Sequence, residues 1–229
     1  MTHRESHTEN NADAVWLASH GSSANTWIAM PDFIYLASQS PRRAELLKQI
    51  GVRFELLLPG PDEDAEGIEI ALKNEAPRSY VQRVTGLKLD AALARLRLRG
   101  LPAAPVLCAD TTVAQGRKIY AKPSDAGDAK RMLSELSGKT HRVFTALAIG
   151  TARKRVAALS DSSVQFAAMG AAQIKAYVDT GDCMGKAGAY GIQGRAAAHI
   201  AHISGSYSGI MGLPVHEAAL LLRAMGVKL

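Results

Sequence analysis

Apolar and polar positions along this chain follow the period of a strand in some segments and the period of a helix in others. Apolar runs or two-residue alternation predict strands, and apolar residues three and four apart predict helices. The predicted strands are residues 34–37, 52–58, 106–109, 118–120, 143–149, 163–168 and 199–203. The predicted helices are residues 41–50, 79–98, 125–136, 173–178 and 215–225, with Ser124 as the cap of the third. Strands alternating with helices indicate an α/β fold.

The first 29 residues differ from the rest of the chain. They are polar, rich in Asn, Ser, Thr and His, and lack the apolar segment of a secretory signal. We expect residues 1–29 to be a disordered extension, or an upstream start that the folded domain does not need. Residues 30–229 form the predicted domain.

Composition narrows the class of protein. The chain is 47% hydrophobic and 21% charged, as in globular proteins, and no apolar run approaches the roughly 20 residues of a membrane helix. A net charge of +6 suits either nucleic acid or small polyanions, but only 5% of residues are aromatic, which disfavours a single-strand binding surface. Cys108 and Cys183 are far apart, which indicates a reducing compartment and therefore a cytoplasmic location. These numbers favour a phosphate-rich small ligand.

The segment that joins the first strand to the first helix predicts an anion site. Ser40 is a favourable N-cap and Pro41 fits the first helical position. Arg42 and Arg43 follow in the first turn, where the helix dipole favours anions. Free backbone N–H groups and two guanidinium groups together suit a phosphate. The alternative is a solvated helix with two surface arginines.

Three further segments carry candidate chemistry. Asp110 ends the apolar strand at residues 106–109, and a carboxylate there points into the crevice where open α/β sheets bind ligands. A simple turn-forming aspartate is the alternative. Lys122 precedes a proline that holds the chain extended. The glycine-rich loop at residues 188–194 places the amide of Gln193 between flexible positions, which suits a wall facing a ligand.

Taken in order, these motifs resemble the Maf family of nucleotide pyrophosphatases, within the larger group of inosine-triphosphate pyrophosphatase folds. The resemblance runs from about Phe33 to the C-terminus. It rests on these motifs: Leu36-Ala37-Ser38-Gln39-Ser40-Pro41-Arg42-Arg43, Ala109-Asp110-Thr111, Lys122-Pro123, Leu136-Ser137-Gly138-Lys139-Thr140-His141, Lys186-Ala187-Gly188-Ala189-Tyr190-Gly191-Ile192-Gln193-Gly194, Gly205-Ser206-Tyr207 and Gly212-Leu213-Pro214.

The resemblance implies a fold and a reaction. The fold would be a mixed, elongated sheet surrounded by helices, with two lobes enclosing a cleft. The reaction would be cleavage of a nucleoside triphosphate between its α and β phosphates. Asp110 would be the catalytic carboxylate and would bind Mg²⁺ or Mn²⁺ together with Glu63. The implied substrate-binding residues are Ser38, Arg42, Arg43, Lys88, Thr111, Lys122, Lys186 and Gln193.

Within the resemblance, Arg42, Thr111 and Gln193 match the subgroup that acts on thymidine and uridine triphosphates. The other subgroup, which acts on 7-methyl-guanosine triphosphate, tends to have Trp, Gln and Glu at these positions. Elementary chemistry agrees, because an amide offers one donor and one acceptor to the edge of uracil or thymine. One position departs from the family, since Gly185 stands where an Asp usually precedes Lys186.

Two alternatives stay open. One is a broader house-cleaning pyrophosphatase for modified pyrimidine or inosine-type nucleotides. The other is a division-linked nucleic-acid-binding protein without catalysis, which would explain the charge but not Asp110 among glycine loops. We expect a nucleotide as the partner, with no membrane and no stable nucleic-acid partner. The sequence leaves open whether the protein forms a homodimer.

Overall fold

In a computed structural model of the chain, residues 16–17, 32–61, 63 and 67–229 are described. Within the predicted extension, Trp16–Leu17 form a short strand that pairs with a strand of the domain. The other residues of the extension lie outside the described part of the chain, so their predicted disorder stays a prediction. No helix in the described ranges is long and apolar enough to cross a membrane.

The elements alternate as the sequence pattern predicts. The strands are β1 (Trp16–Leu17), β2 (Ile34–Leu36), β3 (Phe54–Leu56), β4 (Val106–Gln115), β5 (Lys118–Tyr120), β6 (Thr140–Gly150), β7 (Arg155–Phe166) and β8 (Ile200–Ser204). The helices are α1 (Pro41–Gln49), α2 (Pro77–Leu98), α3 (Ala126–Leu136), α4 (Ala171–Asp179), α5 (Tyr207–Met211) and α6 (Val215–Ala224). Short 3-10 turns occur at Gly67–Glu69, Ala187–Ala189 and Arg195–His199.

The described strands form one eight-stranded mixed sheet. Its order is β1-β7-β6-β4-β2-β3, with β5 paired to β4 and β8 paired to β7. Strand β2 runs parallel to β3 and β4, and the other pairs are antiparallel. The mixed α/β fold predicted from the sequence is confirmed.

Two lobes share the three long strands β4, β6 and β7. The first half of β4 and the last part of β6 pack with β2, α1 and α6 around residues such as Leu36, Leu107 and Leu222. The far end of β4 and the start of β6 pack with α3 and α4 around Leu133 and Tyr177. Each helix buries one apolar face against the sheet. The helices thus pack on one core or the other, and the region between the two cores forms a cleft.

The gap between β2 and β5 creates that cleft. β2 pairs with β4 only at Val106 and Leu107, whereas β5 pairs with it from Val113 onward. On the opposite side β6 pairs along the whole of β4. Residues 108–112 of β4 therefore have a strand neighbour on one side only within the described sheet. A ligand can approach β4 there.

Several local predictions are corrected. β4 does not end before Asp110 but continues to Gln115, because the strand Thr140–Gly150 pairs with it beyond that point. The predicted strand at residues 52–58 shortens to β3. Leu56 is 57% exposed and Leu57, directly after the strand, is buried, which reverses the predicted alternation at these two positions. Asp125, not Ser124, caps α3 through the backbone N–H of Asp128. Ser206 caps α5, a helix that the sequence pattern did not predict.

Candidate active site

A cavity of about 780 Å³ opens beside residues 108–112 of β4. That volume suits a ligand of nucleotide size. Every residue that the sequence predicted for the site lies on its wall: Ser38, Arg42, Arg43, Glu63, Lys88, Asp110, Thr111, Lys122, Lys186 and Gln193. The topology thus brings together residues that are far apart in the sequence.

The start of α1 forms one wall of the cavity. Pro41 occupies the first turn, no acidic residue lies there, and Ser38 Oγ accepts a hydrogen bond from the Ser40 amide at 3.2 Å. Arg43 donates to the Gly212 carbonyl at 2.8 Å and to Ser38 Oγ at 2.9 Å. Arg42 donates to the carbonyl of Met211 at 3.3 Å. Both guanidinium groups are therefore anchored by backbone and hydroxyl oxygens, which leaves their charges uncompensated by a carboxylate at these contacts.

A chain of hydroxyl groups orients Thr111. Thr145 is fully buried and donates its one hydroxyl hydrogen to the Gly209 carbonyl at 2.7 Å. Thr111 must then donate to Thr145 Oγ1, which lies 3.0 Å away. Arg43 donates to Thr111 Oγ1 at 3.4 Å. The position of the Thr111 side chain is thus fixed from both sides.

Lys88 on α2 joins two carboxylates at the centre of the cavity. Its ammonium lies 2.6 Å from Asp110 Oδ1 and 2.7 Å from Glu69 Oε1. Glu69 ends the 3-10 turn Gly67–Glu69, and the Tyr80 hydroxyl donates to its backbone carbonyl at 2.8 Å. The second oxygen of each carboxylate, Asp110 Oδ2 and Glu69 Oε2, accepts no hydrogen bond from the described chain. The arrangement presents a pair of open carboxylate oxygens to a ligand.

The electrostatics of this group follow from burial and pairing. Burial lowers the pKa of Lys88, but the carboxylates of Asp110 and Glu69 raise it by more, so the net pKa lies above its ordinary value. Burial raises the pKa of Glu69, whereas hydrogen bonding and charge from Lys88 lower it below its ordinary value overall. Burial and the charges of Asp110 and Glu69 raise the pKa of Tyr80 to about 12. Lys88 and Glu69 are therefore charged at neutral pH, and Tyr80 keeps its proton.

Glu63, which was predicted to bind a metal together with Asp110, lies on the cavity wall but pairs with Arg95, so its role as a ligand stays a prediction. Both of its oxygens accept hydrogen bonds from Arg95, at 2.6–2.9 Å, and Arg99 is a further partner at 3.4 Å. The hydrogen bonds from Arg95 lower the pKa of Glu63 to about 2. Arg95 lies two helical turns, about 10 Å, beyond Lys88 on α2. The carboxylate beside Asp110 is Glu69.

The glycine-rich loop forms the opposite wall. Lys186 donates to Asp182 Oδ1 at 3.0 Å and also to the Asp182 carbonyl. Gly188 has a positive φ of 70°, and a Cβ there would lie 2.8 Å from the Val113 side chain, so only glycine fits against β4. Gln193 is exposed on the cavity wall. Lys122 is also exposed on that wall, and its charge contributes to the lowered pKa of Glu69.

Sequence reasoning missed Glu69, Thr145 and Asp182. Asp182 and Lys186 are four residues apart, a spacing that permits contact across one turn, and this signal was available. Glu69 lies in an acidic loop with several carboxylates, and only the path of that loop selects the one that reaches Lys88. Thr145 lies in an apolar strand with no local sign of its role.

The fold and the cavity define an α/β protein with a cationic cleft built around a carboxylate pair. A family model described as "Maf-like protein" matches residues 33–225, and the chain belongs to the Maf family.

The chain is also similar to curated proteins over most of its length. It is 66% identical to the "dTTP/UTP pyrophosphatase" of Albidiferax ferrireducens, over 87% of this chain and 100% of that protein. It is 62% identical to the "dTTP/UTP pyrophosphatase" of Polaromonas sp., over 86% of this chain and 98% of that protein. It is 58% identical to the protein of that name from Cupriavidus pinatubonensis, over 85% of this chain and 97% of that protein.

Proposed function

We propose that this protein hydrolyses dTTP and UTP between their α and β phosphates and releases a monophosphate and pyrophosphate. The observation that carries the proposal is the position of Asp110, which faces a nucleotide-sized cavity whose walls are cationic. The similarity to curated dTTP/UTP pyrophosphatases supports the choice of substrate.

The cations of the cavity suit a triphosphate. Lysine has three N–H donors, and Lys88 uses two of them on Asp110 and Glu69. Lys186 likewise uses two on Asp182. One donor of each lysine is left for a phosphate oxygen, and Arg42 and Arg43 add charge at the start of α1. These groups would stabilise the negative charge that develops on the leaving pyrophosphate.

The same wall suits a pyrimidine base. Gln193 lies between Ile192, whose side chain is buried in the core, and Gly194, so little side-chain bulk separates the backbone from a base. Its carbonyl oxygen can accept from N3–H of uracil or thymine, and its amide can donate to a neighbouring carbonyl. A guanine edge presents two adjacent donors and would favour a carboxylate at this position.

The donor set fits a divalent cation. Asp110 Oδ2 and Glu69 Oε2 are the hard oxygen ligands that Mg²⁺ and Mn²⁺ favour, and Mg²⁺ commonly uses one or two carboxylates together with substrate phosphates. The described residues contain no group of three or more His, Cys, Asp and Glu that could hold a metal. A bound divalent cation would neutralise phosphate charge and make the attacking water more acidic.

Asp110 has a defined part in the reaction. Lys88 holds Asp110 Oδ1 in place, which aims Oδ2 into the cavity. From there Oδ2 would either accept a proton from the attacking water or bind the divalent cation that activates that water. We also propose a cytoplasmic location, because Cys108 and Cys183 are both buried free thiols.

The test is a quantitative product analysis with dTTP, UTP, 7-methyl-GTP, ITP and ATP in Mg²⁺ or Mn²⁺. We expect pyrophosphate and monophosphate from dTTP and UTP, with kcat/KM at least about tenfold above the other substrates. Similar values for all five nucleotides would favour the broader house-cleaning enzyme. Release of inorganic phosphate and a diphosphate, or no product at all, would contradict the proposal.

A further inference from the structure

The Asp182 carboxylate ties together the two ends of the glycine-rich loop, residues 185–194. One oxygen, Oδ1, accepts from Lys186 at 3.0 Å at the start of the loop. The other, Oδ2, accepts from the backbone N–H of Arg195 at 3.2 Å, directly after the loop. The Asp182 amide itself is held by Thr180 Oγ1 at 3.2 Å, where α4 ends. One side chain thus connects the end of α4 to both ends of the loop.

Packing shows that the carboxylate has a defined place. A Cβ on Gly194 would lie 2.4 Å from Asp182 Oδ2, closer than any real contact. Gly194 has a φ of −95°, which every residue can adopt, so backbone conformation does not require glycine there. A larger residue at position 194 would therefore have to displace the Asp182 carboxylate.

The contacts also limit the freedom of Lys186. Its aliphatic stem packs on Gly191, where a Cβ would lie 3.1 Å from Cδ and Cε. Two of its three donors are occupied by Asp182. Burial raises the pKa of Asp182, but Lys186 and Arg195 lower it overall, so the partner is a carboxylate at neutral pH. The ammonium therefore has one position and one remaining donor toward the cavity.

We propose that Asp182 is a positioning residue. Its one carboxylate orients the Lys186 ammonium toward the phosphates of the substrate and the Gln193 amide toward the base. The inference rests on the proposed function, because it assigns the two ends of the substrate to Lys186 and Gln193. Asp182 contacts the loop and not the substrate. Its loss should weaken substrate binding while Asp110, Glu69 and Lys88 keep their own contacts.

The test uses Asp182→Ala with Asp179→Ala as the matched control. Asp179 also pairs with a lysine four residues away, Lys175, but on the exposed face of α4. In Asp182→Ala we expect KM for dTTP and UTP to rise about tenfold, equal to about 1.4 kcal/mol of binding. We expect kcat to fall as well, by less than KM rises, because Lys186 also stabilises the leaving pyrophosphate, and Asp179→Ala to match the wild type in both constants.

Amide hydrogen exchange provides a readout that does not depend on activity. Residues 185–195 should exchange at least about tenfold faster in Asp182→Ala than in the wild type or Asp179→Ala, because the loop loses both ties. A KM within twofold of the wild type, or a loop that exchanges at the wild-type rate, would overturn the inference. A fall in kcat with unchanged KM would also overturn it, because that result indicates a smaller folded fraction.

Gly194→Ala keeps the experiment decisive even when Asp182→Ala folds poorly. The new methyl group would displace the carboxylate, so we expect the same rise in KM and the same faster exchange. In the Asp182→Ala background the methyl group meets no carboxylate and should add less than about twofold. If the effects of Gly194→Ala and Asp182→Ala on KM were fully additive, the assignment of Asp182 as a positioning residue would be overturned. A wild-type protein inactive on every triphosphate would refute the proposed function, and the exchange measurement would still decide whether Asp182 orders the loop.

Discussion

Gln193 is the residue at which the proposed choice of base can be tested most directly. In Gln193→Glu a carboxylate oxygen replaces the amide donor and faces a carbonyl of uracil or thymine. A mismatched polar contact costs about 1–3 kcal/mol, so kcat/KM for dTTP and UTP should fall by about ten- to a hundredfold. Activity on 7-methyl-GTP should be spared or raised. Steady-state kinetics with the three nucleotides measure the effect.

The control for that substitution is Gln165→Glu, which introduces the same charge on an exposed position of β7. It should leave all three rates unchanged. An equal fall on every nucleotide in Gln193→Glu would mean that Gln193 supports the loop without contacting the base. The selectivity for pyrimidines would then depend on Arg42 and Thr111.

Single residues also show what a sequence can and cannot predict about this site. Arg42 and Arg43 were predicted because the expected cap Ser40, a proline and two cations follow one another in the sequence, and Ser38 was predicted from the family resemblance. Glu63 was predicted from the family resemblance, whereas Glu69, a second glutamate of the same polar loop, was not predicted and is the one that pairs with Lys88. Which of them reaches Lys88 depends on the path of the loop, and local sequence does not encode that path.

Helix α2 is the element that distinguishes the two glutamates. It presents Lys88 and Arg95 on the same face, two turns apart, and each of them pairs with one of the two glutamates. Lys88 binds Asp110 and Glu69, which line the cavity. Arg95 binds Glu63 and also donates to the Leu57 carbonyl at 3.0 Å. The contact between Arg95 and Glu63 therefore fastens the segment after β3 to the helix.

This contact predicts a pH-dependent contribution to stability. The pKa of Glu63 falls from 4.5 to about 2 in the folded protein. A lowered folded pKa stabilises the protein above the unfolded pKa, and the contribution is lost as pH falls toward 2. Because Glu63 is 36% exposed, solvent screening limits the contribution to about 1 kcal/mol, or about 2–4 °C in melting temperature.

The measurement is the melting temperature of Glu63→Gln and of the wild type between pH 7 and pH 2. We expect Glu63→Gln to melt lower at pH 7, and the difference to shrink between about pH 4.5 and pH 2. Glu45→Gln, on the exposed side of α1, should match the wild type throughout. A difference that stays constant down to pH 2 would contradict the role of the Glu63 carboxylate.

The boundaries of helices and strands agree with the sequence-based prediction where local chemistry determines them. They differ from it where pairing between strands determines them. Helix α1 ends as expected near Gly51, whose φ is 74°. Strand β4 extends past Asp110 because β6 supplies hydrogen-bond partners along its whole length. Asp110 is thus exposed to ligand by the gap beside β4 and not by the end of its own strand. Local patterns contain no information about such a gap.

The two lobes of the molecule contribute cations to the same cavity from opposite sides. Arg42 comes from α1, which packs on the core around Leu36, and Lys122 follows β5, which packs on the core around Leu133. The family resemblance predicted this two-lobed architecture, but the distances across the cavity required the structure. A substrate between the lobes would contact both groups at once.

Arg42→Ala and Lys122→Ala should therefore both raise KM and lower kcat, with a loss in kcat/KM of about tenfold or more. The charge on the pyrophosphate increases as it leaves, so these cations stabilise the transition state more than the bound substrate. The control is Lys175→Ala on the exposed face of α4, which should behave as the wild type. Wild-type kinetics for both cavity variants at low salt would place the substrate elsewhere.

The most direct test of the whole account is the turnover of Asp110→Asn on dTTP. The amide has the same shape as the carboxylate and can still accept from Lys88, so the fold should persist, with a melting temperature lower by at most a few degrees because an ion pair is lost. Without a carboxylate to accept the proton of water, kcat for pyrophosphate release should fall at least about a hundredfold. Asp90→Asn, an exposed change on α2, should retain wild-type turnover. A folded Asp110→Asn protein with kcat within about threefold of the wild type would contradict the account.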